Sequence, residues 1–276
     1  MSRLEDAVGL FGPNSVSWRV DREVLVLAGG SCALLMQAAH PFVAAGVVEH
    51  STYATDPFGR LLRTLTSSFD VVFGSRARAE ATIRRVNAIH AAVRGELPAG
   101  GGRYSALDPE ALLWVHATLV DTALRVYGRF IAPLSPEEEQ AYHREAARVA
   151  VLLRVPVGDV PETIGQMRAW MDAMLASGAV RVTPEAREIA RTVLYPTPWL
   201  PRVIWDAAHL ISLSTLPASL RDAYGISWSA RRERGIERVA VITRRAMPLV
   251  PPMLRFAPHA RTAEARVRRA AIASAG

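Results

Sequence analysis

The chain contains no lysine and a single cysteine, Cys32. One thiol cannot build a disulfide framework, and it excludes zinc or redox motifs of the CxxC kind. A reducing, cytoplasmic setting is therefore expected. There is no HExxH pair, no nucleophile elbow, no P-loop and no GxGxxG. Zinc-protease, α/β-hydrolase, nucleotide-phosphate and dinucleotide chemistry thus lack their usual carriers. No window alternates apolar and polar residues with β-branched enrichment, so no sheet is expected. No charged n-region followed by a cleavage site marks a signal peptide.

What is present describes an ordered globular protein. Half of the 276 residues are apolar and 21% are charged, ample material for one large core. Helix starts are legible at "DPE" 108–110, "SPEEE" 135–139 and "TPE" 183–185, where a capping side chain precedes a proline and first-turn acid. Stripes of helical period follow, such as Leu112, Val115, Leu119 and Ala123. The pattern predicts helices near 17–39, 42–52, 57–73, 75–94, 108–131, 135–153, 162–177, 184–195, 200–213, 217–223 and 229–246, with "GELPAGGGRYSALD" and "YPTPWLP" as the clearest breaks. The expected fold is all-α: one bundle of about ten helices enclosing an apolar cofactor pocket, with its core at 20–250 and a basic segment at 251–276.

Charge is unevenly placed. From Ser229 onward there are eleven arginines and three acidic residues, whereas the whole chain carries +7. Such a segment can meet an anionic membrane or nucleic acid, but a solvated helix face and tail explains it as well; no nucleic-acid partner is expected. Residues 24–48 carry no charge and are long enough to span a bilayer. Gly29, Gly30, Ser31, Gln37, His40 and Pro41 would be costly there, so a buried helix broken at His40-Pro41 is expected, with peripheral membrane contact left open.

Three groups of residues carry candidate chemistry. On the helix ending near Arg94, Ala79, Ile83, Val86, His90 and Val93 form one seam, with Gly95 placed to terminate it. His90 is either a neutral core imidazole bonded to a carbonyl, or a ligand to a metal or haem iron whose tautomer is fixed by a second acceptor. Arg60, Arg63 and Thr64 stand at i, i+3 and i+4, so they share a face that can bind an anion or simply face water. His40 and His116 are further imidazoles for which core or capping roles compete with ligation. Glu49 and His50 are too close in sequence for a helical metal pair.

The segments "HPFVAAGVVEHS", "RLLRT", "VVFGS", "VNAIHAAVRG", "YSALDPEALLWVHATLVDTAL", "PLSPEEEQAYHRE" and "LPASLRDAYGISWS", in this order, resemble the MpaB/rubber-oxygenase (latex-clearing protein) family across roughly residues 20–250. The resemblance implies an all-α protein that binds haem b and uses dioxygen on apolar, often isoprenoid, substrates. It implies His90 as the proximal iron ligand, with Arg94 one turn away and His116 as the second candidate. It places Arg60, Arg63 and Thr64 on the distal side as catalytic residues. One departure stands out: rubber-cleaving relatives have a lysine, able to coordinate iron, where this chain has Arg63. Arginine stays protonated and is a poor ligand, so a lysine-ligated closed form is not expected, and polymer cleavage is placed in doubt. Two other classes remain open on the residues: a haem-binding or sensing protein without turnover, and an apo helical protein that binds lipid or a partner.

Overall fold

The computed structural model describes residues 2–98, 101–196 and 201–275. Sixteen α-helices are formed among them, with three short 3-10 turns and one two-stranded ribbon. In chain order they are α1 (Arg3–Val8), α2 (Val16–Asp21), α3 (Gly30–Ala38), α4 (Pro41–His50), α5 (Pro57–Phe73) and α6 (Arg76–Ala92). The ribbon β1 (Arg94–Glu96) and β2 (Arg103–Ser105) follows. Then come α7 (Pro109–Phe130), α8 (Pro136–Leu152), α9 (Ile164–Ser177), α10 (Pro184–Leu194), α11 (Arg202–Ala208), α12 (Leu210–Thr215), α13 (Ala218–Ala223), α14 (Ala230–Ala246), α15 (Pro252–Arg255) and α16 (Pro258–Ala275).

The three Pro-containing starts read from sequence begin α7, α8 and α10, each with its Asp, Ser or Thr side chain accepting a first-turn N–H. At α8, Ser135 and Glu138 close a full capping box. α7 is the central post. Trp114, Ala117, Val120, Leu124 and Tyr127 pack with Cys32, Leu35 and Met36 of α3 and with Met167 and Met171 of α9. The buried Trp114 indole donates to the Met36 carbonyl at 2.8 Å. Gly29 lets the preceding 3-10 turn approach α7, because a Cβ there would lie 2.6 Å from Thr122 Cγ2 and 2.8 Å from Val126 Cγ2.

The uncharged stretch 24–48 is thus not one rod. A helix expected over 17–39 divides into α2, a 3-10 turn at Val24–Gly29 and α3. His40 caps α4, its Nδ1 accepting the Phe42 N–H at 3.3 Å. Among the described residues no single helix is long and apolar enough to cross a membrane, and the pair Val24–Ala38 and Pro41–His50 bends by 104°.

Other expectations need correction. α6 stops at Ala92, and Arg94 and Gly95 lie in the ribbon, where three-residue strands are too short to show an alternating pattern. Gly95 therefore does not terminate a helix. It lets the ribbon approach α4, since a Cβ there would lie 2.6 Å from Glu49 Oε2. The helix expected over 200–213 divides into α11 and α12, and its predicted start, like most of "YPTPWLP", lies outside the described residues.

The basic C-terminal segment is also more than a tail. One face of α16 buries Ala260 and Ala263 against Trp18 and Phe73. Arg266 reaches the carbonyls of Ala7 and Phe73 at 3.1 and 2.6 Å. The connection into α16 is fixed by Glu23, 1% exposed, whose carboxylate receives Arg255 Nε and Nη2 at 2.6–2.9 Å. An Ala257 N–H to Arg22 carbonyl bond of 2.7 Å lies beside it. Removing one partner of a buried ion pair strands the other charge. Arg255→Ala is expected to lower unfolding stability by about 3 kcal/mol, read as a lower urea midpoint. Arg255→Ala combined with Glu23→Leu should recover much of that loss.

Candidate functional site

α5 and α6 form an antiparallel hairpin whose register is set by a buried carboxylate. Asp70 near the end of α5 receives Arg78 Nε at 2.6 Å and the Thr82 hydroxyl at 3.4 Å. Farther along, Arg85 Nη2 donates to Ser67 Oγ at 3.3 Å. Continued two turns further, this register brings the start of α5, which carries Arg60, to the end of α6 that carries His90. The two candidate groups thus lie at the same end of one hairpin.

The seam on α6 is real and it opens. Ala79 and Ile83 are buried, Val86 and His90 half-buried. Beside them, Asn87 donates to the Leu152 carbonyl of α8 at 2.9 Å, which ties this end of the hairpin to the body. His90 Nδ1 is buried without a hydrogen-bond partner among the described residues. Burial alone holds its imidazole below its ordinary value, so the neutral form is favoured. Around the open end, Phe58, Leu61, Leu62 and Ile89 leave apolar surface exposed.

The three residues on α5 are not equivalent. Arg60 is half-buried, and burial followed by the charge of Arg63 lowers its guanidinium from the ordinary value. Arg63 is exposed and committed to its own helix start, with Nη1 3.1 Å from Asp56 Oδ2 and Nη2 2.8 Å from Thr52 Oγ1. Asp56 is lowered by the Gly59 N–H and then by Arg63. The Thr64 hydroxyl donates to the Arg60 carbonyl at 3.0 Å, so its proton is engaged and its oxygen is left to accept.

Arg94 departs from the helical position expected for it. It is exposed on β1 and, with Phe42, Arg103, Tyr104, Ser105 and Asp108, lines a cleft of about 350 Å³. Tyr104 behind this cleft hydrogen-bonds Glu49 of α4. That bond joins residues 55 apart, which no local pattern reveals. Arg103 and His143 likewise drew no attention in the sequence.

His116 sits on α7 with its Nε2 buried and unpartnered. Burial and then the charge of His143 push its imidazole down to about 4. His143 of α8 is itself buried, its Nε2 2.8 Å from the Pro161 carbonyl and its Nδ1 without a partner. Among the described residues no three His, Cys, Asp or Glu gather to hold a metal ion. His40 serves as the α4 cap, 3.8 Å from Glu110, and is lowered chiefly by burial.

Because the folded value of His116 lies below the ordinary 6.5, the unfolded chain takes up a proton first as pH falls. Its contribution to stability is complete above that ordinary value and is lost as pH drops toward the folded one. His116→Leu is expected to remove about 2 kcal/mol of the stability loss between neutral pH and the folded-state value. Paired urea titrations at the two ends of this range measure it.

Residues 18–247 match the family described as ER-bound oxygenase mpaB/B'/rubber oxygenase, catalytic domain. Two proteins described as uncharacterized, one from Mycobacterium bovis and one from Mycobacterium tuberculosis, are each 25% identical over 227 residues, covering 79% of this chain and 87% of theirs. No solved structure matches. The family match runs from within α2 to the residue after α14 and takes in the hairpin, the ribbon and the central post; the chain belongs to the mpaB/rubber oxygenase catalytic-domain family.

Proposed function

We propose that this chain is a haem b-dependent oxygenase acting with dioxygen on a hydrophobic small molecule of the lipid or terpenoid kind. The observation that carries the reading is His90: a half-buried imidazole, its neutral form favoured by burial, at the open end of an apolar seam and at the same end of the hairpin as Arg60. The residues fit haem, a group that supplies most of its own metal donors and needs one imidazole from the protein. A neutral imidazole has the lone pair such a group needs from the protein. The buried, unpartnered His90 Nδ1 marks a ring whose polar edge is not satisfied by the fold alone. The bound haem would supply dioxygen activation, which no side chain here performs.

The remaining roles belong to the chain. Arg60 offers a half-buried cation, able to pair with a carboxylate of the cofactor or to stabilise negative charge that develops during oxygen transfer. Arg63 holds the start of α5 to Asp56 and Thr52. It is a positioning residue on this reading, and its protonated guanidinium does not substitute for a ligating lysine. Thr64, its proton engaged by Arg60, can accept a hydrogen bond, and turning its hydroxyl would free the proton for donation. Phe58, Leu61, Leu62 and Ile89 provide apolar surface at the same end of the hairpin for a hydrophobic substrate. His116, buried beside His143, is the competing ligand.

Protein purified from cells given haem precursor is expected to show a Soret band. His90→Ala should abolish it, and His116→Ala should retain it. Full haem content and an unchanged spectrum in His90→Ala would overturn the assignment. Arg60→Leu should keep the Soret band yet lower terpenoid-dependent oxygen uptake by about tenfold or more. Oxygen uptake unaltered in that variant would remove Arg60 from the reaction.

A further inference from the structure

We infer that the connection between α14 and α16 is a membrane-docking tip that seats this protein on an anionic lipid surface. It lies almost wholly beyond the family match, which ends at Met247. Leu249, Met253 and Leu254 are 84%, 67% and 70% exposed, and Ile242 on α14 is 65% exposed. Three large apolar side chains exposed within six residues of one connection mark a surface that a partner or membrane covers. Val24 and Leu27, on the 3-10 turn that packs against α15, are exposed beside them.

The charge around the tip says what the cover is. Arg244 and Arg245 form the last turn of α14, and Arg261 Nη1 reaches the Met253 carbonyl at 3.4 Å. None of these three makes an ion pair among the described residues. Glu237 and Glu264 bracket a run without a single acidic residue. A second copy would bring the same positive rim against this one and be repelled. Anionic headgroups at the rim with acyl chains beneath the tip satisfy both halves of the pattern.

The backbone is suited to shallow insertion. Pro248, Pro251 and Pro252 carry no N–H to desolvate. The Val250 and Leu254 N–H groups are engaged by the Met247 and Pro251 carbonyls at 3.2 and 2.9 Å. Arg255 anchors the tip from below, through Glu23 and through the Met247 carbonyl at 3.2 Å. The apolar side chains are thus presented from a fixed base, with little ordering left to lose on contact.

The test is sedimentation of the full chain with vesicles of phosphatidylcholine alone or mixed with phosphatidylglycerol. The wild type should sediment with the anionic vesicles at low salt, and less so as salt rises. Leu249→Ser combined with Met253→Ser and Leu254→Ser should weaken that binding by at least about tenfold with an unchanged melting temperature. Arg244→Gln with Arg245→Gln and Arg261→Gln should flatten the salt dependence. Failure of the wild type to bind, equal binding to neutral vesicles, or undiminished binding by the triple serine variant would overturn the proposal. So would a wild-type dimer that becomes a monomer in the triple serine variant without vesicle binding. None of these readings needs haem or turnover, so they stand apart from the oxygenase assignment.

Discussion

The central core of this fold is built on the contact between α3 and α7. The Trp114 indole is fully buried and spends its one N–H on the carbonyl of Met36, so a large apolar ring enters the core without an unsatisfied donor. Gly29 then brings the segment before α3 against Thr122 and Val126 at a distance no side chain would permit. These two constraints fix the depth and angle of the uncharged stretch, which explains why residues that look like a membrane span break into short, bent pieces around a post. α9, α12 and α14 pack on what remains of that post. The hairpin of α5 and α6 lies apart from the post and packs against α1, α2 and α16.

That separate hairpin is where the candidate residues His90, Arg60, Arg63 and Thr64 gather. Close packing penalises any void in a core, so a fold cannot leave a histidine at the open end of an apolar seam without cost. Here the seam is dense at Ala79 and Ile83 and loosens by Val86 and His90. The Asp70 clamp lies at the dense end, so the register of the open end is dictated from a distance. A fixed base with a more exposed tip is an arrangement in which a group bound at the tip gains burial, and its binding then adds directly to stability.

The sequence reading succeeded where the cause is local. Helix starts follow from a side-chain oxygen and a proline a few residues apart, and the seam Ala79, Ile83, Val86, His90 follows from helical period. It failed where the cause is a contact across the chain. Arg94 and Gly95 leave the helix because the ribbon must reach Glu49 of α4 through Tyr104, and nothing within ten residues of Arg94 announces that demand. The break within 17–39 depends on Thr122 and Val126, and the docking of α16 depends on Trp18 and Phe73, far apart in sequence. The candidate site shares this division. The face holding Arg60, Arg63 and Thr64 was legible from spacing, but spacing could not say that Arg63 would turn to Asp56 and Thr52 while Arg60 stayed uncommitted.

That division between two arginines one turn apart has a physical root. A guanidinium beside another guanidinium is relieved by an acid, and Asp56 at the start of α5 can serve only one of them. It takes Arg63, the more exposed of the two, where the pair contributes little to stability but fixes the side chain. Arg60 is left half-buried, repelled by its neighbour and without an anionic partner among the described residues. A charge in that condition is a standing attraction for any carboxylate or oxyanion entering the open end of the hairpin. The two arginines therefore divide the work: Arg63 is held by Asp56 and Thr52, and Arg60 is left as the cation facing the end of the hairpin.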